Sequence, residues 1–292
     1  MSGSFLSSAK QYLKGRPRLR RLFEPGAKLL RLYRPSRQQS LEGLYEYLFA
    51  GIEGGSFVVR VPGLGLFEMN CRSDILRRVL LNREYEPEVS EALRKYTDPN
   101  KDALDIGANV GFFTVLLTSL LSEDRRVLAV EPTPGALGYL RRNIEANNCA
   151  GRVILYEGVA ADRSGESTLN VIENREEYSS LLKLTTPAVE SGKLNEIRIP
   201  AETIDQLVRE HDLAPGLIKI DTEGAELQVL QGAKQTILNH RPVILCEVWP
   251  DEMLTEAGGS PGAAANFLRE CGYSISNCGR NEIVAMPNER TK

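Results

Sequence analysis

Two short stretches carry the residue types that do chemistry. Asp105-Ile-Gly-Ala-Asn-Val-Gly111 joins an acid to a glycine turn, and Asp221-Thr-Glu-Gly-Ala-Glu226 joins three acids to another. Glycines at 107 and 111 let backbone approach a ligand at the start of a following helix, whose free N–H groups favour negative charge. Glu131 stands 20 residues past Gly111, at the end of the next apolar run. A carboxylate there can hold both hydroxyls of a ribose. Together these features describe a nucleoside derivative.

Two cofactor classes compete for that description. The dinucleotide fingerprint is G-x-G-x-x-G, and here Asn109 stands where the middle glycine would let backbone reach a pyrophosphate. Asp105 would also repel a pyrophosphate at short range. These two points disfavour an oxidoreductase of the NAD type. S-adenosylmethionine carries an ammonium, a carboxylate and a sulfonium, with no phosphate. Asp105 can face the ammonium, and the glycine turn and helix start can take the carboxylate. A third reading is a cofactor-binding, membrane-associated adaptor without catalysis.

The second block and Glu247, which ends the next apolar run, supply the candidate chemistry. On neighbouring parallel strands, Asp221, Glu223 and Glu247 share one rim. A carboxylate with a raised pKa serves as general base. The same three could instead hold a divalent cation such as Mg²⁺ through oxygen ligands. Asp221 alternatively balances a sulfonium, and Glu223 and Glu226 favour a helix N-terminus by roughly 0.3–1 kcal/mol. Trp249, the only Trp, either walls an acceptor pocket or closes the core edge. Phe112 and Phe113 read as packing, and His211 and His240 as surface residues.

These groups need a scaffold, and from residue 101 the pattern supplies one. Strands are expected at Ala103–Ile106, Arg126–Val130, Val153–Tyr156, Ile218–Ile220 and Val243–Val248. Helices are expected at Gly111–Leu121, Pro134–Asn147, Ala225–Leu238 and Ala263–Cys271, before final strands at Tyr273–Ser276 and Glu282–Met286. Short, wholly apolar strands alternating with helices imply an α/β fold with a doubly wound, mostly parallel sheet and ligand at the strands' carboxyl ends. Residues 162–200 interrupt the rhythm with strands near Ser167–Val171 and Glu196–Ile199, and the long connection favours a lid. Upstream, Leu41–Ile52 and residues 86–96 read as helices, with Pro87 at a helix start. Phe57–Arg60 and Leu66–Met69 flank Pro62-Gly63-Leu64-Gly65 as a β-hairpin.

Composition narrows the setting. The chain has 292 residues and a net charge of −3. Residues 1–37 hold ten Lys/Arg and one acid, which leaves −12 for the remainder. An acidic main body argues against nucleic acid as partner. The basic arm mixes cations with Phe, Leu and Tyr, which suits weak contact with an anionic membrane surface or a transit-type segment; a solvated arm is the plainer expectation. No run of 18 apolar residues and no secretory leader are read. Five scattered Cys without a C-x-x-C favour neither a disulfide framework nor zinc, and point to a reduced, cytoplasmic setting.

Asp105-Ile-Gly-Ala-Asn-Val-Gly-Phe-Phe-Thr114, Val130-Glu131-Pro132, Ile218-Lys-Ile-Asp-Thr-Glu-Gly-Ala-Glu226 and Leu230-Gln-Gly-Ala233 resemble the FkbM family. Tyr85-Glu86-Pro87-Glu88 and the segment Pro200–Leu207 add to the resemblance. It spans roughly residues 82–250. It implies a class I, Rossmann-like S-adenosylmethionine-dependent methyltransferase, a seven-stranded sheet ending in an antiparallel hairpin, and O-methylation of a hydroxyl on a sugar, glycan or natural product. Position by position, Asp105, Gly107, Asn109 and Gly111 fall on its cofactor loop and Glu131 on the ribose acid. Glu157, Gly158 and Val159 fall at the adenine edge. The expected division is a basic arm (1–40), a helical and hairpin extension (41–100) and the catalytic domain (101–292); oligomeric state is not legible.

Overall fold

A computed structural model describes residues 42–45, 47, 54–71, 73–172, 194–256, 259–279 and 281–290. The basic arm and the middle of the expected lid, residues 173–193, lie outside the described residues. Two compact units divide at Gly51/Ile52. In the first, residues 42–45 and 47 are helical.

The second unit opens with an antiparallel hairpin, β1 (Ser56–Val61) and β2 (Gly65–Asn70). Helices α1 (Asp74–Asn82) and α2 (Pro87–Tyr96) follow. The sequence reading missed α1, although Ser73 caps it by accepting from the Ile75 N–H. Then come β3 (Asp102–Ile106), α3 (Phe112–Leu120), β4 (Val127–Val130), α4 (Pro134–Ala146) and β5 (Val153–Tyr156). A small sheet of β6 (Val159–Ala160), β7 (Gly165–Ile172) and β8 (Leu194–Glu202) interrupts. Helix α5 (Ile204–Glu210) leads to β9 (Pro215–Ile220), α6 (Glu226–Gly232), α7 (Lys234–His240) and β10 (Val243–Glu247). Last are α8 (Asp251–Glu256), α9 (Ala263–Glu270), β11 (Tyr273–Asn277) and β12 (Glu282–Pro287).

The main sheet runs β11-β12-β10-β9-β3-β4-β5. All pairings are parallel except those of β12, which is antiparallel to both neighbours. The expected doubly wound sheet with its terminal hairpin is therefore present. The chain winds outward from β3 through β4 and β5, then crosses back to β9 and β10. That reversal places a crevice between the carboxyl ends of β3 and β9. β3, β4 and β9 are buried throughout, as strands covered on both faces must be.

The single helix expected over Ala225–Leu238 is instead α6 and α7, broken at Ala233 (φ −102°, ψ 6°). A Cβ on Gly232 would lie 1.9 Å from the Ala161 carbonyl, so glycine here lets the small sheet press against the helix. The hairpin is held just as closely. Asn147 accepts from the Leu66 N–H (2.9 Å) and donates to the Leu66 carbonyl (2.7 Å). One turn earlier, buried Asn143 accepts from the Glu68 N–H (2.6 Å) and donates to the carbonyls of Glu68 and Val110. These i, i+4 side chains act like an added strand, and they are why the hairpin belongs to the larger unit. Phe112 stacks on Phe67 and meets Tyr85 edge-on, so the two phenylalanines are packing residues as read.

Candidate functional site

The parallel register between β3 and β9 sets Asp105 opposite Lys219 and Ile106 opposite Ile220. Both charged side chains are buried in an otherwise apolar layer. Lys219 Nζ lies 3.1 Å from Asp221 Oδ2 and 3.5 Å from Asp105 Oδ1. The longer contact is an ion pair without hydrogen-bond geometry, and Asp105 Oδ1 has no hydrogen-bond partner. Asp105 Oδ2 accepts from Thr114 Oγ1 at 2.6 Å. The Phe113 ring covers the ammonium at 5.0 Å. Burial opposes the charge on Lys219, but Asp221 and Asp105 outweigh it and raise its pKa.

Asp105 was expected to face the ammonium of the cofactor. Its side chain is fully buried, and the ammonium it faces is that of Lys219. Burial raises its pKa, and Lys219 and Thr114 oppose the rise. Sequence reasoning gave Lys219 no role. The signal was there: one lysine inside Pro215-Gly-Leu-Ile-Lys-Ile220, a strand otherwise apolar, needs a buried partner to be tolerated.

The glycine turn is closely packed. Gly107 has φ 81°, and a Cβ on it would lie 1.7 Å from the Asp221 carbonyl oxygen. At Gly111, φ 87°, a Cβ would meet Leu140 at 2.5 Å. At both positions protein atoms lie where a side chain would go. Asn109 sits between them with φ 50°, and its N–H donates to Glu131 Oε2 at 2.8 Å. Glu131 Oε1 accepts from the Thr133 N–H and hydroxyl. Three of about four acceptor positions on that carboxylate are thus taken, which leaves about one for a further donor. Burial raises the Glu131 pKa. No side chain caps α3, so its first N–H groups have no side-chain acceptor from the cap.

At the far edge, Glu157 is exposed and pairs with Arg141. Val159 is buried in β6. Gly158 again marks a close approach, because a Cβ there would lie 2.5 Å from the Pro200 carbonyl.

The structure brings Asp221, Glu223 and Glu247 together, with one carboxylate oxygen from each within 4.8 Å of the others. Glu223 sits in a left-handed turn at φ 52°, followed by Gly224. Its Oε2 accepts from Trp249 Nε1 at 3.2 Å. Trp249 is buried, so it both closes the core and touches the rim. Glu226 is turned inward, where its Oε1 accepts from the N–H groups of Thr222 and Gly224 and from the Thr222 hydroxyl. It shapes the turn. Burial first, then the Asp221 charge, push the Glu223 pKa up to about 8. The same causes raise Glu247 further, and its Oε2 is buried with no hydrogen-bond partner. The Asp221 carboxylate beside it is a hydrogen-bond partner of the Glu247 carboxyl and adds to that rise. His211 and His240 lie half-buried at the ends of α5 and α7.

Folding and pH are linked through Glu223. Its folded pKa is raised from 4.5 to about 8, so across that window the folded state binds more protons than the unfolded chain. The stabilisation is full below the unfolded value and is lost as pH rises through the folded one. The urea midpoint should therefore fall between pH 5 and pH 8.5, and Glu223→Gln should flatten that fall. Parallel slopes in the two proteins would show that the carboxylate is solvated.

Among the described residues no helix is long and apolar enough to cross a membrane. Comparison with known proteins adds a family. The family model described as "Methyltransferase FkbM domain" matches residues 105–275. Methyltransferase 1 of Beauveria bassiana is 25% identical over 189 residues, 59% of this chain and 72% of that protein. Methyltransferase sdnD of Sordaria araneosa is 25% identical over 201 residues, 61% and 75% respectively. AMB antimetabolite synthetase AmbE of Pseudomonas aeruginosa is 28% identical over 211 residues, 61% of this chain but only 10% of that protein. Among solved structures, a methyltransferase FkbM from Methylobacillus flagellatus aligns with TM-score 0.44 and 19% identity, covering 72% of this chain and 52% of that one.

Proposed function

This chain belongs to the FkbM methyltransferase family, and from that premise we propose that it moves the methyl group of S-adenosylmethionine to a hydroxyl oxygen, with Glu223 as general base. The observation that carries the reading is Glu223 itself. It is an acid with raised proton affinity at the rim of the crevice, 3.2 Å from the Trp249 indole.

The donor set fits this cofactor. The crevice is walled by carboxylates, which suit a sulfonium and an ammonium and oppose a pyrophosphate. The uncapped start of α3 suits a carboxylate, and Glu131 retains an acceptor position for a ribose hydroxyl. Gly107, Asn109 and Gly111 shape the loop, with Asp105 holding Lys219 beneath it. Glu157, Gly158 and Val159 would flank the base. Bound S-adenosylmethionine supplies an electrophilic methyl on sulfur and leaves as a neutral thioether.

The chain's own residues then do three things. Glu223 accepts the proton of the acceptor hydroxyl as the oxygen attacks. Glu247, at the end of the neighbouring strand, walls the acceptor on the side of Asp221. Asp221, already paired with Lys219, places negative charge beside the cationic cofactor. Alignment of the two reacting atoms supplies much of the acceleration. Because a matching stretch lies inside an antimetabolite synthetase, we favour the hydroxyl of a small natural product or sugar as acceptor. A second reading rests on the 4.8 Å clustering of Asp221, Glu223 and Glu247: the three hold a divalent cation that lowers the acceptor's pKa.

Calorimetry tests the cofactor assignment. S-adenosylhomocysteine should bind and NAD should not. Glu131→Ala should weaken binding about 10-fold or more, the size of one lost hydrogen bond to a charged group. Unchanged affinity in that variant, or competition by NAD, would refute it.

A further inference from the structure

The pocket beside the rim is shared between the sheet and the upstream extension. Its lining includes Lys219, Asp221 and Glu247 from the strand ends, Glu282 from β12, and Glu86 from the turn before α2. Val89 and Leu245 add apolar wall. Glu86 is the residue whose placement local structure does not explain. It is the N-cap of α2, yet it caps nothing with its side chain, and it is held left-handed at φ 42°, ψ 69°. A non-glycine residue in that region is strained, and a helix start offers Ser, Asp or Gly as easier choices. The carboxylate is turned into the pocket instead. It bonds with the Tyr85 hydroxyl, and Arg78 reaches it at 3.4 Å from the exposed side.

Charge in this pocket is one-sided. Four carboxylates line it against one ammonium, and that ammonium is already divided between Asp105 and Asp221. Glu247 Oε2, on the same wall, is buried with no hydrogen-bond partner. Such a wall offers acceptors to a ligand rich in O–H or N–H groups, and it repels an anion.

We propose that Glu86 determines acceptor specificity: its carboxylate receives a hydroxyl or ammonium of the methyl acceptor, so that neutral polyols and hydroxylated amines are methylated and carboxylated or phosphorylated molecules are refused. This rests on the methyl transfer proposed above. The step transfers methyl from sulfur to the acceptor oxygen, and the proton of that oxygen goes to Glu223. Glu86 binds a different donor on the same molecule.

A broad metabolite extract, split by ion exchange into anionic, neutral and cationic pools, provides the test. Each pool is incubated with the protein and S-adenosylmethionine labelled in its methyl group. Label should enter the neutral or cationic pool. Glu86→Gln should cut that label at least tenfold, while affinity for S-adenosylhomocysteine stays within twofold. Label confined to the anionic pool, or wild-type labelling by Glu86→Gln, overturns the proposal and leaves methyl transfer standing. A protein that binds S-adenosylhomocysteine and labels no pool overturns both. Glu86→Gly gives a readout independent of turnover. Glycine relieves the left-handed turn but removes the partner of the Tyr85 hydroxyl and of Arg78, so its Tm should change little as labelling falls, and a large fall in Tm would make Glu86 a structural residue and end the proposal.

Discussion

Glu223→Gln should slow methyl transfer by about 10²-fold or more, the usual scale for loss of a general base. The swap is nearly isosteric and keeps an acceptor for the Trp249 N–H, so the fold should survive it. Stability at pH 8.5 should even rise, because a buried charge is removed from among Asp221, Glu226 and Glu86, all of which oppose it. Activity in the wild type should climb as pH rises through about 8, in opposition to stability, which falls over the same range. Methyl transfer followed with a labelled methyl donor gives both curves. Asp221→Asn should also lose rate, and the remaining climb should move to lower pH, because the Asp221 charge helps to raise Glu223. Chelation separates the two mechanisms. Activity abolished by chelator and restored by Mg²⁺ would place a cation among the three acids, and indifference leaves Glu223 to act alone. Wild-type rates in both variants would make the rim structural.

Lys219→Met should produce the largest loss of stability of any single change discussed. It removes the ammonium that compensates Asp105, which is fully buried, and Asp221. Breaking a buried pair from one side costs about 3–5 kcal/mol, because the remaining charge is left without a partner. For a unit of this size that corresponds to a fall in Tm of roughly 6–20 °C. The companion variant identifies the cause. Lys219→Met combined with Asp105→Asn should recover much of the loss, since the neutral amide can still accept from Thr114 and no longer carries an uncompensated charge. A Tm for Lys219→Met within about 2 °C of wild type would show that the triad stabilises nothing. A double variant worse than the single would show that Asp105 matters for its shape and not its charge.

The sheet was legible because its central strands are short, mostly apolar runs and the helices between them, α3 and α4, start at a glycine or proline. The switch point followed from that alternation, and with it the neighbourhood of the Asp105 and Asp221 blocks. Side-chain direction was not legible. Asp105 ends a strand at the ligand edge, yet the pleat turns it inward onto Lys219, and only the β3/β9 register shows this. Asn143 and Asn147 reach back some 75 to 81 residues to hold β2, and no local pattern announces such a contact. Glu86 was quoted within a familiar motif but given no role, since a left-handed N-cap cannot be told from an ordinary one by residue type. The break at Ala233 was hidden for a similar reason: Gly232 is explained by its distance from Ala161, a residue about 70 positions earlier.

The 1.7 Å that would separate a Cβ on Gly107 from the Asp221 carbonyl also governs how this protein can be recombined with its relatives. The two loops meet backbone to backbone, with no side chain between them to absorb a mismatch. A chimaera that imports the Asp105–Gly111 block alone would set a foreign loop against the native Asp221 carbonyl, and any error would pass directly to the acid that Lys219 holds. Crossover points that keep residues 102–111 and 215–226 from the same parent avoid this. The intervening stretch from β4 to α5 can then come from the other parent, provided that Gly158 and Gly232 travel with the strands they touch. In shuffled libraries the two blocks should survive selection as a linked pair, although more than a hundred residues separate them in the gene.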